Sequence, residues 1–173
     1  MTIEAIKAAI RDVPDFPKPG ILFKDITPVI ADATLFSACI DIFEQRHQGK
    51  GIDKVAAVDA RGFLFAGALC DRLGTGLIPI RKQGKLPYET YEQSYDLEYG
   101  TATLAIHRDA FEPGEKVLLI DDLLATGGTA AASAALVSKA GGTLVEIDFL
   151  VELSFLNGRS KLDGHPVFAP IKY

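Results

Sequence analysis

The chain has no tryptophan and, in 173 residues, only two cysteines and three histidines. Two thiols, Cys39 and Cys70, cannot staple a disulfide scaffold. Both fall in helix-like stretches far apart in sequence and read as buried thiols of a reducing compartment. His47, His107 and His165 show no metal-ligand spacing, and each reads as a surface or loop residue. Long apolar runs are missing too, so no segment is expected to span a bilayer. The opening MTIEAIKAAIRDV carries Glu4, Lys7, Arg11 and Asp12 in place of a secretory leader's apolar core, and the expected location is the cytoplasm. There is no excess of positive charge. Eighteen Lys and Arg face 23 Asp and Glu, a net charge of -5, which argues against non-specific nucleic-acid binding. No repeat, low-complexity tail or Pro/Gly/Ser linker divides the chain, so one domain over residues 1–173 is expected.

What is present is an alternation. From residue 54 to 153, short apolar strands (KVAAV, GLIPI, KVLLI, TLVEIDFLVEL) alternate with helical patterns (FLFAGALCDRLG, GGTAAASAALVSKAGG). That order implies an α/β fold, a mainly parallel central sheet flanked by helices. Before it, TIEAIKAAIRDV spaces Ile3, Ile6 and Ile10 on one helical face, and PDFPKPG (14–20) interrupts it. A second helix is expected from Asp32 as N-cap to Gly49 as stop. Residues 86–108 are polar, tyrosine-rich and alternating about Gly100, the pattern of a β-hairpin or a long mobile excursion. SFLNGRSKLDG reads as a short helix or loop, and HPVFAP as an edge strand.

The stretch VLLIDDLLATGGTAAA (117–132) concentrates the chemistry. In an open α/β sheet, ligands bind beyond the carboxyl ends of the strands. A buried strand delivers Asp121 and Asp122 to that edge, and a helix opens near Gly127 or Gly128. Glycines let backbone N–H groups close around an anion, and the helix N-terminus adds unpaired donors and partial positive charge. With the hydroxyls of Thr126 and Thr129, residues 125–129 fit a phosphate monoester. Two ionised carboxylates would repel that phosphate. As pure acceptors they suit paired hydroxyls such as O2 and O3 of a ribose. Together the features point to a sugar phosphate. The plainer alternative is a capped strand-to-helix turn with two solvated acids. The loop is neither a Walker A loop nor a dinucleotide turn.

VLLIDDLLATGGT resembles the phosphoribosyl-pyrophosphate (PRPP) motif of the type I phosphoribosyltransferases. DFPKPGILFKDITPV (15–29), DARGFLF (59–65), IRKQGKLP (80–87) and YDLEYGTATLAIH (95–107) also look like that family, in the same order. The resemblance covers roughly residues 13–153. It implies the family's fold, with a flexible β-hairpin lid over 82–104 and an N-terminal arm over 1–30 bearing the base-binding segment. It also implies a homodimer, and transfer of a phosphoribosyl group from PRPP to a purine.

Residue by residue, the resemblance implies further roles. DARG turns at the sheet edge and offers Arg61, whose fork suits a pyrophosphate, with the backbone at Ala60. Arg81, Lys82 and Lys85 follow a strand and would offset pyrophosphate charge, and Tyr99 joins them; taken alone, such a run is a solvated face. Glu98, between Leu97 and Tyr99, is implied as the catalytic carboxylate assisting proton removal from the base. Without the resemblance it reads as a hairpin glutamate facing solvent. Leu22, Phe23 and Lys24 match the wall of the base pocket, with Leu22 backbone groups facing the base edge and Lys24 where many members have arginine. Mg²⁺ is expected mainly on PRPP oxygens and water, with no protein ligand assigned. Ala125 replaces the acid that relatives acting on 6-oxopurines carry, which favours adenine as acceptor. The alternatives are a 6-oxopurine enzyme, a non-catalytic PRPP or nucleotide sensor, and a plain α/β interaction module.

Overall fold

The structure is a computed structural model that describes residues 2–97 and 100–173. It comprises two compact units, residues 1–45 and 46–173.

In the N-terminal unit, Thr2 caps helix α1 (Ile3–Ala9), its hydroxyl accepting the Ala5 N–H at 3.3 Å. The expected helix through Val13 stops early. Arg11–Pro14 forms strand β1, paired antiparallel with β2 (Leu22–Asp25). Pro14 disfavours helical backbone at Val13, and cross-strand ion pairs hold the extended form. Arg11 meets Asp25 at 3.1 Å and Lys24 meets Asp12 at 2.5 Å. Helix α2 (Thr27–Ala31), with Pro28 in its first turn, has no counterpart in the sequence reading. Helix α3 (Ala33–His47) begins at the expected cap: the Asp32 carboxylate accepts the N–H groups of Thr34 and Leu35, each at 2.9 Å. Ile6, Ile26, Val29, Cys39, Ile40 and Phe43 form the unit's core. Burial pushes the Cys39 thiol up to about 12.

The larger unit contains β3 (Lys54–Val58), α4 (Arg61–Leu73), β4 (Gly76–Lys82), β5 (Thr90–Asp96), β6 (Thr101–His107), β7 (Lys116–Leu124), α5 (Gly128–Lys139), β8 (Thr143–Glu152), β9 (Val167–Phe168) and β10 (Ile171–Lys172). The strands form one sheet in the order β10-β8-β7-β3-β4-β6-β5, with β9 also beside β8. Pairing is parallel from β10 to β4 and antiparallel for β6 and β5. The expected mainly parallel sheet flanked by helices is therefore present. Its central strands read as near-continuous apolar runs because both faces are covered. Helix α4 packs on β3 and β7, and α5 on β5, β6, β7 and β8. Ile80, Ile106, Leu119, Leu136, Val137 and Phe149 sit in the shared core.

The stretch 86–108 contains a regular hairpin, paired from Thr90↔His107 to Asp96↔Thr101. It joins the rest of the sheet by a short seam, Arg81↔Ala105 and Lys82↔Leu104. Residues 154–161 form two 3₁₀ turns, and β9 is the strand expected in HPVFAP. Among the described residues, no helix is long and apolar enough to cross a membrane.

The reading of His47 as a surface residue is corrected: it is 1% exposed. Its Nε2 lies 2.6 Å from Asp148 Oδ2, and the neighbouring Arg46 makes a two-point contact with Glu146. The physical reason lies on β8. Buried carboxylates there require donors or opposite charge, and the last two residues of α3 supply both. His107 and His165 are half-buried.

Candidate functional site

Parallel pairing brings the carboxyl ends of β3, β4 and β7 to one edge of the sheet. Asp121 and Asp122 are within β7 rather than beyond it. The strand continues through Leu123↔Val151 and Leu124↔Glu152. The two acids meet the start of α4. Arg61 Nε donates to Asp122 Oδ2 at 2.5 Å, and Asp121 Oδ1 accepts the Asp122 N–H at 2.8 Å. Gly62 permits this approach: a Cβ there would lie 3.0 Å from Asp121 Oδ1 and 3.1 Å from the Ile120 carbonyl oxygen. Burial, and then the negative charge of Asp122, push the Asp121 carboxyl well above the ordinary carboxylate range.

Beyond β7, Ala125, Thr126 and Gly127 turn into α5, whose first residues are Gly128 and Thr129. Gly127 is left-handed at φ +83°, and as a glycine at the N-cap it offers the helix no side-chain cap. Its first N–H groups are thus presented at the sheet edge, the arrangement that suits an anion. The loop is braced from behind. A Cβ on Gly127 would lie 2.3 Å from the Gly158 carbonyl oxygen, and a Cβ on Gly158 would lie 2.3 Å from the Ala125 carbonyl oxygen. Two backbones therefore touch where no side chain fits. The turn bearing Gly158 is pinned by Arg159, which donates to both carboxylate oxygens of Glu152 at 2.8 and 2.7 Å and to the Val167 carbonyl at 2.9 Å. The Arg159 guanidinium holds the Glu152 carboxyl below its usual range.

The basic residues gather at the neighbouring strand ends. Arg81 Nε donates to Asp59 Oδ2 at 2.8 Å and Arg81 Nη1 to the Lys85 carbonyl at 3.2 Å, tying the end of β4 to the turn at Ala60. Lys82 and Lys85 are exposed at the start of the 82–104 segment. The structure thus brings Arg61, Asp121 and Asp122 into one corner and links Arg81 to the adjoining turn. Leu22, Phe23 and Lys24 lie on β2 of the N-terminal unit, where Leu22 is exposed and Phe23 meets Phe16 edge-on at 5.1 Å. Glu98 and Tyr99 lie outside the described residues.

Three contributors escaped the sequence reading. Gly62 stood in a quoted motif without a role. Tyr95 stood in another, and its hydroxyl lies 3.0 Å from Thr129 Oγ1. Gly158 gave no local signal. Away from the β7 edge, His47, Glu146 and Asp148 bring possible ligand atoms within 4.8 Å of one another. There His47 Nε2 faces Asp148 Oδ2 at 2.6 Å, and Glu146 is paired with Arg46.

Residues 30–167 match the family model of the phosphoribosyl transferase domain. The chain is 54% identical to an adenine phosphoribosyltransferase of Methylacidiphilum infernorum, over 99% of this chain and 96% of that one. The crystal structure of adenine phosphoribosyltransferase from Thermoanaerobacter pseudethanolicus superposes with a TM-score of 0.96 at 53% identity, covering 99% of this chain and 100% of that one. The Saccharomyces cerevisiae adenine phosphoribosyltransferase, complexed with D-2,5-dideoxy-2,5-imino-altritol 1,6-bisphosphate and adenine, gives a TM-score of 0.93 at 41% identity over 97% of each chain.

Proposed function

The chain belongs to the phosphoribosyl transferase family, and on that premise we propose that it transfers the 5-phosphoribosyl group of PRPP to N9 of adenine, forming AMP and releasing pyrophosphate. One observation carries this reading: the N-terminus of α5, with glycine at its N-cap, opens a short turn beyond the strand that carries the two acids. Donors for a phosphate placed next to acceptors for a diol suit a ribose 5-phosphate. The S. cerevisiae protein, complexed with both a bisphosphate and adenine, supports the same pair of ligand classes.

In this mechanism the 5′-phosphate accepts the N–H groups and hydroxyls of 126–129, and Asp121 and Asp122 accept hydrogen bonds from O2 and O3 of the ribose. Arg61 has five N–H donors, so it can keep Asp122 and also reach the pyrophosphate. Arg81, Lys82, Lys85, Tyr99 and the backbone at Ala60 complete that cradle. Pyrophosphate leaves C1′ with the bonding pair, positive charge develops on the ribose ring, and N9 attacks from the opposite face. Glu98 accepts the proton that adenine gives up. The 82–104 lid excludes water from the reacting carbon. Leu22 backbone groups read the edge of adenine, Phe23 packs nearby, and Lys24 neighbours the base.

PRPP is a polyanion that Mg²⁺ would partly neutralise. Around the edge, Asp122 is paired with Arg61 and Asp59 with Arg81. These carboxylates are engaged by arginines rather than gathered on a common point, an arrangement that fits a metal carried on substrate oxygens and water. The reading extends to a cytoplasmic homodimer. Exposed Leu64, Leu77 and Tyr88 offer apolar area for it, and sedimentation of the purified protein tests it.

The deciding experiment supplies PRPP and Mg²⁺ with adenine, hypoxanthine, guanine or xanthine in turn and follows nucleotide and pyrophosphate by chromatography. AMP formed almost alone is expected. Another nucleotide would move the base assignment. PRPP binding with no turnover on any base would move the protein to a sensor.

A further inference from the structure

Tyr95 stands next to last in β5, on the hairpin, yet it touches the phosphate loop. Its ring lies over the first residue of α5: a Cβ on Gly128 would meet Tyr95 Cδ2 at 3.0 Å and Cε2 at 3.5 Å. Its hydroxyl is 3.0 Å from Thr129 Oγ1. At the other end of the same helix, Lys139 Nζ donates to the Glu92 carbonyl at 3.0 Å and to Gln93 Oε1 at 2.7 Å. Strand β5 is therefore fixed along α5 at both ends, and Tyr95 occupies the end that faces the anion.

A threonine hydroxyl has one hydrogen and two lone pairs. To bind a phosphate dianion it must present the hydrogen, since an oxygen lone pair turned to the phosphate repels it. A rotating hydroxyl has no fixed preference. Tyrosine supplies one, because its phenol can donate to Thr129 Oγ1 and occupy a lone pair. The threonine hydrogen then points away from Tyr95, toward the mouth of the loop. Ser133 cannot do this, because its hydroxyl donates to the Thr129 backbone carbonyl at 2.8 Å.

We propose that Tyr95 is a positioning residue that orients the Thr129 hydroxyl for the substrate's 5′-phosphate, acting through Thr129 and not on the substrate itself. The proposal rests on the sugar-phosphate reading of residues 121–129. It gives the hairpin a part in phosphate recognition in addition to covering the site.

The test is calorimetric binding of AMP and adenosine to the full chain and to Tyr95→Phe, Thr129→Val, Thr129→Ser and the Tyr95→Phe combinations with each. Phenylalanine keeps the ring over Gly128, and thermal melting of every variant checks that it folds. Tyr95→Phe is expected to weaken AMP roughly three- to tenfold, the scale of one hydrogen bond, and to leave adenosine unchanged. The same change in the Thr129→Val background is expected to do nothing, while in the Thr129→Ser background the loss returns. AMP bound as tightly by Tyr95→Phe as by wild type overturns the proposal. So does an equal loss in the Thr129→Val background, which would make Tyr95 a packing residue. If wild type itself does not prefer AMP to adenosine, the underlying phosphate reading fails, and that result is visible before any variant is made.

Discussion

Gly158→Ala tests the phosphate loop from behind. The added Cβ would sit 2.3 Å from the Ala125 carbonyl oxygen, 3.1 Å from the Gly127 nitrogen and 3.1 Å from Leu124 Cδ1. A carbon and a carbonyl oxygen in ordinary contact stand about 3.3 Å apart, so the two backbones must part by roughly 1 Å. Gly158 has no positive φ, whereas Gly127 has φ +83°. Alanine at 158 therefore reads the contact without added backbone strain. Overpacking of this kind costs roughly 1–3 kcal/mol of stability, and a displacement near 1 Å in a positioning element can cost on the order of 100-fold in rate. The assay is steady-state kinetics with PRPP and adenine varied separately, beside thermal denaturation. The expected result is a rise in KM for PRPP of roughly 10- to 100-fold, little change in KM for adenine, and a lower melting temperature. Gly67→Ala is the control. Gly67 lies in α4 with nothing within 4 Å of its would-be Cβ, and alanine there should stabilise the helix by up to about 1 kcal/mol. Wild-type PRPP kinetics and stability in Gly158→Ala would refute the bracing argument.

Asp122→Asn removes a charge that pairs with Arg61 and, in the proposed site, meets the ribose diol; PRPP affinity measured by calorimetry should fall roughly 10- to 100-fold. Glu98→Gln should lower turnover by roughly 100-fold or more while PRPP affinity holds, and unchanged turnover would remove Glu98 from the mechanism. Glu152→Gln breaks the two-point contact with Arg159 and should cost about 1–3 kcal/mol at neutral pH by chemical denaturation. Because the folded-state pKa of Glu152 lies below its ordinary value, that stabilisation is complete above the unfolded value and disappears as pH falls through the folded one. The stability curves of wild type and variant should converge in acid. The Asp121 carboxyl is raised, so PRPP affinity should weaken as pH falls while ordinary carboxylates are still ionised.

The sequence was most legible where structure is local. The apolar run into Asp121 and Asp122, the Asp32 cap and the glycine-opened α5 follow from neighbours in the chain. Where the partner is distant, the reading failed for identifiable reasons. In sequence the two acids mark the strand's arrival at the edge, but β7 continues through Leu123 and Leu124 by pairing with Val151 and Glu152. His47 looked exposed because its partner, Asp148, is 101 positions away. Gly158 had no signal, since its meaning is a contact with Ala125. Pro14 did carry one: a residue before proline avoids the helix, and that bound on α1 was available from sequence.

The two-pair seam between β4 and β6 has a consequence for hydrogen exchange. The hairpin pairs internally at seven positions and meets β4 at two. Detachment from the sheet therefore breaks the seam, the Gln83–Thr103 bond, the contact of Tyr95 with Thr129 and the bonds of Lys139 to Glu92 and Gln93, withdraws Ile106 from the shared core, and leaves β5–β6 intact. Such a segment is expected to open as a cooperative unit at a free energy below that of global unfolding. Amides spanning the seam should exchange together and ahead of those in β7 and β8. Because Arg81 and Lys82 form the seam, a ligand held by their side chains should slow that exchange, so the protection of a few backbone amides becomes a report on occupancy of the site.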